Sequence, residues 1–205
     1  MSFAKKDSQP IAKKQIQILK KHNDKRSDPY FWMNKRDSKE VLAYLKDENE
    51  YYESVMKPYA HLKADLYNEI RGRMKDDEES VPYKKGPYYY FTRYTKGAEY
   101  PVFMRHPAES KKEEVLLDIP ALAKGKKYFQ VGSMSLSPDH TILAYAVDTV
   151  GRRFYDIHFR DLKNKKMIEY KIPATTGSFA WANDNKTFFF TKQDAKTLRA
   201  DKIYR

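Results

Sequence analysis

The sequence predicts a mainly β chain with an N-terminal α-helical arm. Residues 1–80 read as an extended lead-in followed by helices, and residues 81–205 as about two and a half blades of an incomplete β-propeller. Three observations carry this prediction. The apolar period changes from near 3.6 to 2 around residue 81. The back of the chain resembles itself at an offset of 45, then 46, residues. Matching turn residues sit at matching places in that repeat.

In the front part, Gln15-Ile16-Gln17-Ile18-Leu19 alternates weakly, as an edge strand would. Ser27-Asp28-Pro29-Tyr30 signals a turn, because Pro29 pushes Asp28 out of the α region. Asp37-Ser38-Lys39-Glu40 has the D-x-x-E spacing of a helix N-terminus. Val41, Leu42, Leu45, Tyr52, Val55 and Met56 then return to one helical face. Pro58 ends that helix or opens the next, whose Leu62, Leu66, Ile70 and Met74 are spaced by four and form a packing stripe. The acidic run Asp76-Asp77-Glu78-Glu79 reads as a hydrated exit loop.

In the back part, Tyr88–Arg93, Tyr100–Met104 and Glu114–Asp118 read as short strands. Met134–His140 aligns with Phe179–Asn185 at the first offset. Thr141–Ala144 aligns with Thr187–Phe190, and Tyr155–Phe159 with Asp201–Arg205, at the second. Looking backward, Tyr88–Tyr94 lies over Ile142–Asp148 and Gly97 over Gly151. Ser137-Pro138-Asp139 and Asn183-Asp184-Asn185 supply side chains that accept local backbone hydrogen bonds at equivalent reversals. The register puts Arg205 in the third strand of a unit, so the expectation is a chain that continues into further blades. A plain antiparallel sandwich is the alternative architecture.

Composition removes several functions. The 205 residues include no Cys, which excludes disulfides, Cys-ligated zinc and a thiol nucleophile and suits a reducing compartment. The longest apolar run, Ile142–Val147, is far short of the roughly 20 residues of a membrane helix. Met1–Asp7 lacks the apolar stretch of a secretory leader, so the expected location is cytoplasmic with no membrane partner. The net charge of +12 invites a nucleic-acid reading. The basic residues, however, are scattered as doublets such as Lys13-Lys14, Lys84-Lys85 and Arg152-Arg153, at predicted turns and strand ends. A nucleic-acid footprint would gather them on one stripe, so nucleic acid is not the expected partner.

No set of residues assembles catalytic chemistry. His22, His61, His106, His140 and His158 show no H-x-x-x-H spacing and read as surface or packing residues. Of these, His140 falls at a turn, and His158 alternates within a strand in reach of a backbone carbonyl. Asp139 and Asp184 read as turn stabilisers. Gly125-Lys126-Lys127 lacks the rest of a phosphate loop, and Asn185-Lys186-Thr187 reads as a chance glycosylation match. Expected catalytic, cofactor and metal residues are none.

One resemblance is specific. It runs through Asp28-Pro29-Tyr30-Phe31-Trp32-Met33, Val41–Leu45 with Glu48-Asn49 and Tyr52, and Glu69–Asp77 leading into Ser80-Val81-Pro82-Tyr83. Leu116-Leu117-Asp118, Tyr128-Phe129 and Ser137-Pro138-Asp139 belong to it as well. From about residue 10 onward the chain resembles the opening of the oligopeptidase B (protease II) branch of the prolyl oligopeptidase family of serine peptidases. The resemblance implies a seven-bladed propeller capping a C-terminal α/β-hydrolase domain, the helical arm packing on that domain, and cleavage of short peptides after Lys or Arg. The catalytic domain and the remaining blades would be this chain's partners. A nucleophile elbow needs Gly two residues before and after its Ser, but Ser133 follows Val131 and Ser178 follows Thr176. The expectation is therefore an N-terminal fragment that is inactive alone. The alternatives are a binding module that self-associates through its open sheet edge and, behind it, a basic nucleic-acid binder.

Overall fold

The computed structural model describes residues 8–205, with the Asp201 side chain left out, and contacts divide the chain between Met74 and Lys75 into two compact units. The reading of Met1–Asp7 as free of a leader lies outside the described residues.

The first unit opens with a hairpin. Strand β1 (Gln17–Lys21) pairs antiparallel with β2 (Asp24–Asp28), from Gln17 opposite Asp28 to Lys21 opposite Asp24. The two loop residues, His22 and Asn23, both take positive φ (50° and 64°), as the tight primed turn of a twisted hairpin requires. The strand expected at 15–19 is thus shifted toward the C-terminus. Its partner is wholly polar and gave no apolar signal. At the predicted turn, the Asp28 carboxylate accepts from Tyr30 N at 2.9 Å. A 3-10 turn (Phe31–Asn34) then buries Trp32, whose Nε1 donates to Lys13 O at 2.9 Å.

Helix α1 spans Lys39–Met56, and Ser38 Oγ accepts from Val41 N at 3.3 Å. The cap is therefore Ser38, one residue later than the D-x-x-E spacing implied. Glu40 accepts from Gln15 Nε2 at 2.6 Å, binding the lead-in to the helix start. Pro58 lies in a 3-10 turn (Lys57–Tyr59) that leads directly into α2 (Ala60–Gly72), so Met74 falls beyond the helix that its stripe predicted.

The second unit holds two antiparallel sheets. The first is β3 (Tyr83–Lys85), β4 (Tyr88–Arg93), β5 (Val102–Pro107) and β6 (Glu114–Asp118), paired in chain order. Pro101 has no N–H to give a ladder, and β5 starts one residue after it and runs past Met104. Asp77, Glu78 and Glu79 of the acidic run are exposed, as read, but the end of the run is tied to β4. Ser80 N donates to Thr92 O and Tyr94 N to Glu78 O, and Glu79 forms a bridge opposite Arg93. The Arg93 guanidinium holds Glu79 and makes a bidentate pair with Glu113 at 2.9 and 3.0 Å. Helix α3 (Ile119–Ala123) follows β6, with the Asp118 carboxylate accepting from Ala121 N at 2.9 Å.

The second sheet runs β7 (Gln130–Leu136), β8 (Ile142–Asp148), β9 (Tyr155–Asp161), β10 (Lys166–Trp181), β11 (Phe188–Gln193) and β12 (Ala200–Tyr204), each beside the next. β10 serves two blades. Its front half, up to Ile172, pairs with β9, and its back half pairs with β11, while Thr175 faces both Tyr155 and Lys192. Ala174 and Gly177, both at positive φ (57° and 81°), make the bend. The buried Thr175 hydroxyl donates to Tyr155 O at 2.9 Å and fastens it. A Cβ on Gly177 would lie 2.9 Å from the Tyr155 ring, so only Gly fits there. The repeat seen in the sequence is real: β8 and β11, then β9 and β12, are the corresponding strands of successive blades.

Strand β8 joins the two cores. Leu143, Tyr145 and Val147 enter a cluster with Tyr90, Leu116, Leu117 and Phe129. Ala144 and Ala146, on the opposite face, enter a cluster with Ile157, Phe159 and Ile172, flanked by Trp181 and Phe188. Successive side chains point to opposite faces, and here both faces are covered. This is why Ile142–Val147 is an unbroken apolar run, and the arrangement is an open, unclosed propeller.

Candidate interaction surfaces

The residues that could have suggested catalysis are held in structural roles. Ser133 lies within β7 and Ser178 within β10, on extended backbone and not at a strand-to-helix turn. His61 Nδ1 lies 2.8 Å from Asp65 across one turn of α2, both exposed. His106 stacks on Tyr89 with centroids 5.2 Å apart, its Nδ1 2.8 Å from Pro107 O. His158 stacks on Tyr145 at 5.5 Å, where the sequence suggested a bond to a carbonyl. Burial pushes the His158 pKa below its ordinary value and pushes the Tyr145 phenol up to about 12. Among the described residues, no three His, Asp or Glu side chains gather as a metal site.

The turn carboxylates act alike. Asp139 accepts from the Ser137 hydroxyl at 2.6 Å and from Thr141 Oγ1 at 2.9 Å. Asp184 accepts from the backbone N–H groups of Lys186 and Thr187 and from the Thr187 hydroxyl at 2.6 Å. Hydrogen bonding to the charged form favours it, so Asp139 titrates below its usual value, and the Thr187 hydroxyl takes Asp184 down to about 2. Both stay ionised acceptors, the opposite of a general acid. Asn185 of the apparent glycosylation signal has a structural role, since its Oδ1 accepts from Asp139 N at 2.8 Å. The two equivalent turns are therefore bonded to each other.

Two features escaped the sequence reading. Asp148 is fully buried and accepts from the N–H groups of Val150, Gly151 and Arg153 at 2.7–2.9 Å, closing the β8–β9 loop. Tyr90 OH lies 2.6 Å from His140 Nδ1, a contact between the first two blades across 50 positions. The D-x-x-G spacing of Asp148 and Gly151 could have pointed to the first; no spacing marks the second.

The surfaces left open are apolar faces and strand edges. In the first unit, Leu42, Leu45, Leu62, Leu66 and Ile70 follow the helical stripes read from the sequence, and all are about half or more exposed. In the second unit, β12 and β7 end the six-stranded sheet, and Ile203 on β12 is 77% exposed. An apolar face of this kind marks an interaction site. An unpaired edge offers hydrogen bonds to another strand.

The family model for the prolyl oligopeptidase N-terminal β-propeller domain matches residues 9–205. Dipeptidyl aminopeptidase BI of Pseudoxanthomonas mexicana is 35% identical, the match covering 94% of this chain and 29% of the relative. Oligopeptidase B from Leishmania major superposes with a TM-score of 0.84 at 29% identity over 96% of this chain and 30% of that one. Oligopeptidase B from Trypanosoma brucei, solved in a closed form with covalently bound antipain, gives 0.81 at 30% identity with the same coverage. The chain spans under a third of the length of these relatives, which carry a C-terminal catalytic domain beyond the region matched. A helical arm, blades repeating along one sheet, and these likenesses agree: the chain belongs to the prolyl oligopeptidase family and corresponds to its N-terminal arm and propeller region.

Proposed function

We propose that this chain supplies the helical arm and first blades of an oligopeptidase B-like serine peptidase that cleaves short peptides after Lys or Arg. The chemistry would reside in an α/β-hydrolase domain outside these 205 residues, where an activated Ser forms an acyl-enzyme with His as general base and backbone donors hold the oxyanion. The observation that carries the reading is the exposed stripe on α1 and α2. A water-facing row of Leu and Ile at helical spacing is a face built for a partner, and in this reading the partner is the hydrolase domain. Residues 1–80 would be the arm that packs there, and 81–205 the propeller that restricts entry to short peptides. The absence of Cys suits the cytoplasm, which we take as the site of action.

The test is hydrolysis of an arginyl-amide reporter. The chain alone is expected to show no turnover. The chain expressed in continuity with an oligopeptidase B hydrolase domain and the remaining blades is expected to cleave after Arg. Serine-inhibitor-sensitive turnover by the pure 205-residue chain would overturn the proposal.

A second reading rests on the exposed Ile203 edge: two copies pairing along β12. Light scattering tests it, and a monomer at high concentration would dismiss it.

A further inference from the structure

The seam between the first two blades is closed by a polar cluster set under aromatic rings. Tyr90 on β4 meets Nδ1 of His140, which sits in the turn between β7 and β8. Arg105 on β5 is only 4% exposed. Its Nη1 donates to His140 O at 2.8 Å, its Nε donates to Glu114 at 2.9 Å, and its guanidinium lies 4.0 Å over the Tyr88 ring.

What the Tyr90–His140 contact can do depends on the protonation of the ring. A guanidinium has donors only and keeps its protons. Arg105 therefore stays a cation beside His140, and with the ring neutral and its proton on Nε2 the Tyr90 hydroxyl donates to Nδ1. Nε2 faces Gly86, whose backbone at φ +59° comes so close that a Cβ there would lie 2.6 Å from it. Protonating Nδ1 puts a donor on each side of that contact, so the Tyr90 hydroxyl must turn its own hydrogen away to another acceptor. The charged and titratable groups facing the ring are Lys85 from β3, Tyr88 and Tyr90 from β4, Arg105 from β5, and Asp139 in the same turn. Glu114 is engaged by Arg105, and Asp139, held by the hydroxyls of Ser137 and Thr141, favours an imidazolium less than burial, Lys85 and Arg105 oppose it.

We infer that Tyr90, His140 and Arg105 form an acid-released clasp: neutral His140 holds the first blade to the second, and its protonation opens the seam. Burial, then Lys85 and Arg105, push the His140 pKa below 6.5. The closed seam thus binds a proton less readily than the open one. The clasp is complete above the ordinary imidazole value and is lost as pH falls below it.

The experiment is hydrogen exchange of the β4 and β7–β8 turn amides in this chain, corrected for intrinsic rates, at about pH 7.5 and about pH 5.5, on either side of the imidazole range. Native protein is expected to lose seam protection severalfold at the lower pH. His140→Asn tolerates the left-handed backbone at that position (φ 61°) and accepts from Tyr90 but cannot titrate. It should hold protection at both pH values. Tyr90→Phe should be exposed already at the higher pH, with no further fall. An acid loss in His140→Asn equal to the native one would overturn the inference. So would imidazole nitrogen shifts of the native protein showing the proton on Nδ1 at neutral pH, a result that needs no variant.

Discussion

Asp148 illustrates how a single buried side chain can replace a run of secondary structure. Between β8 and β9 the chain reverses through Thr149–Phe154, and three of the loop's N–H groups end on this one carboxylate. A donor left unmade inside the protein costs about 1–3 kcal/mol. Asp148→Ala orphans three, with some relief by water, so destabilisation of about 3 kcal/mol is expected. Urea unfolding followed by tryptophan fluorescence checks it, and a change below about 1 kcal/mol would contradict the role. The titrating residues order the acid response. Burial holds the His158 pKa down, so the unfolded chain takes up that proton more readily, and stability falls as pH drops below the ordinary value of 6.5. Asp139 and Asp184 also have lowered pKa values, but their contribution is lost only below the ordinary value of 3.8. Acid unfolding should therefore begin in the imidazole range. His158→Phe keeps a ring against Tyr145 without a titrating nitrogen and should lessen that first part of the profile, leaving the share of His140. An unchanged profile would exclude His158 as its source.

At the level of elements, the helices of the first unit and the strands of the second are shaped by different needs. Leu62 and Leu66 lie on the water side of α2, at 55% and 48% exposure. Changing both to Gln should alter the stability of this chain by no more than about 0.5 kcal/mol, the usual range for exposed sites. In the complete peptidase proposed above, the same pair should weaken the joining of arm and catalytic domain. A large loss of stability in the chain alone would mean that the stripe is already covered. Ser38→Ala, by contrast, removes a cap and should cost about 1 kcal/mol of helix stability, measured by thermal melting of the circular dichroism signal. The same contrast explains what the sequence discloses. The strands β4, β6 and β8 were legible because packed aromatic and aliphatic residues fill them, and the reversals at Asp139 and Asp184 because their side chains make the turn. Strand β2 is wholly polar and β3 is three exposed residues, so burial left no periodic trace on either. The sharing of β10 between two blades depends on the bend at Ala174–Gly177, which hydrophobic patterning does not encode. The Tyr90–His140 pair joins a strand to a distant turn through folding alone, so its partners look unrelated in the chain.

For the molecule as a whole, the charge of +12 and the open β12 edge act against each other. Two copies aligning along β12 could bury Ile203 and satisfy a row of backbone groups, and they would also bring two strongly positive bodies together. At low ionic strength that repulsion is long-ranged; at about 0.1 M salt it is screened beyond about 10 Å. Self-association should therefore strengthen as salt is raised. A nucleic-acid complex would respond with the opposite sign, because its affinity comes from counterions released when Lys and Arg meet phosphate. Sedimentation at about 0.05 M and about 0.5 M salt separates the two, since the span covers strong to weak screening. The apparent mass should rise with salt for the native chain. It should stay low for Ile203→Lys, which places a charge on the edge without touching either core cluster. A native mass that falls with salt, or an Ile203→Lys variant that associates as readily as the native chain, would remove the strand edge as the contact.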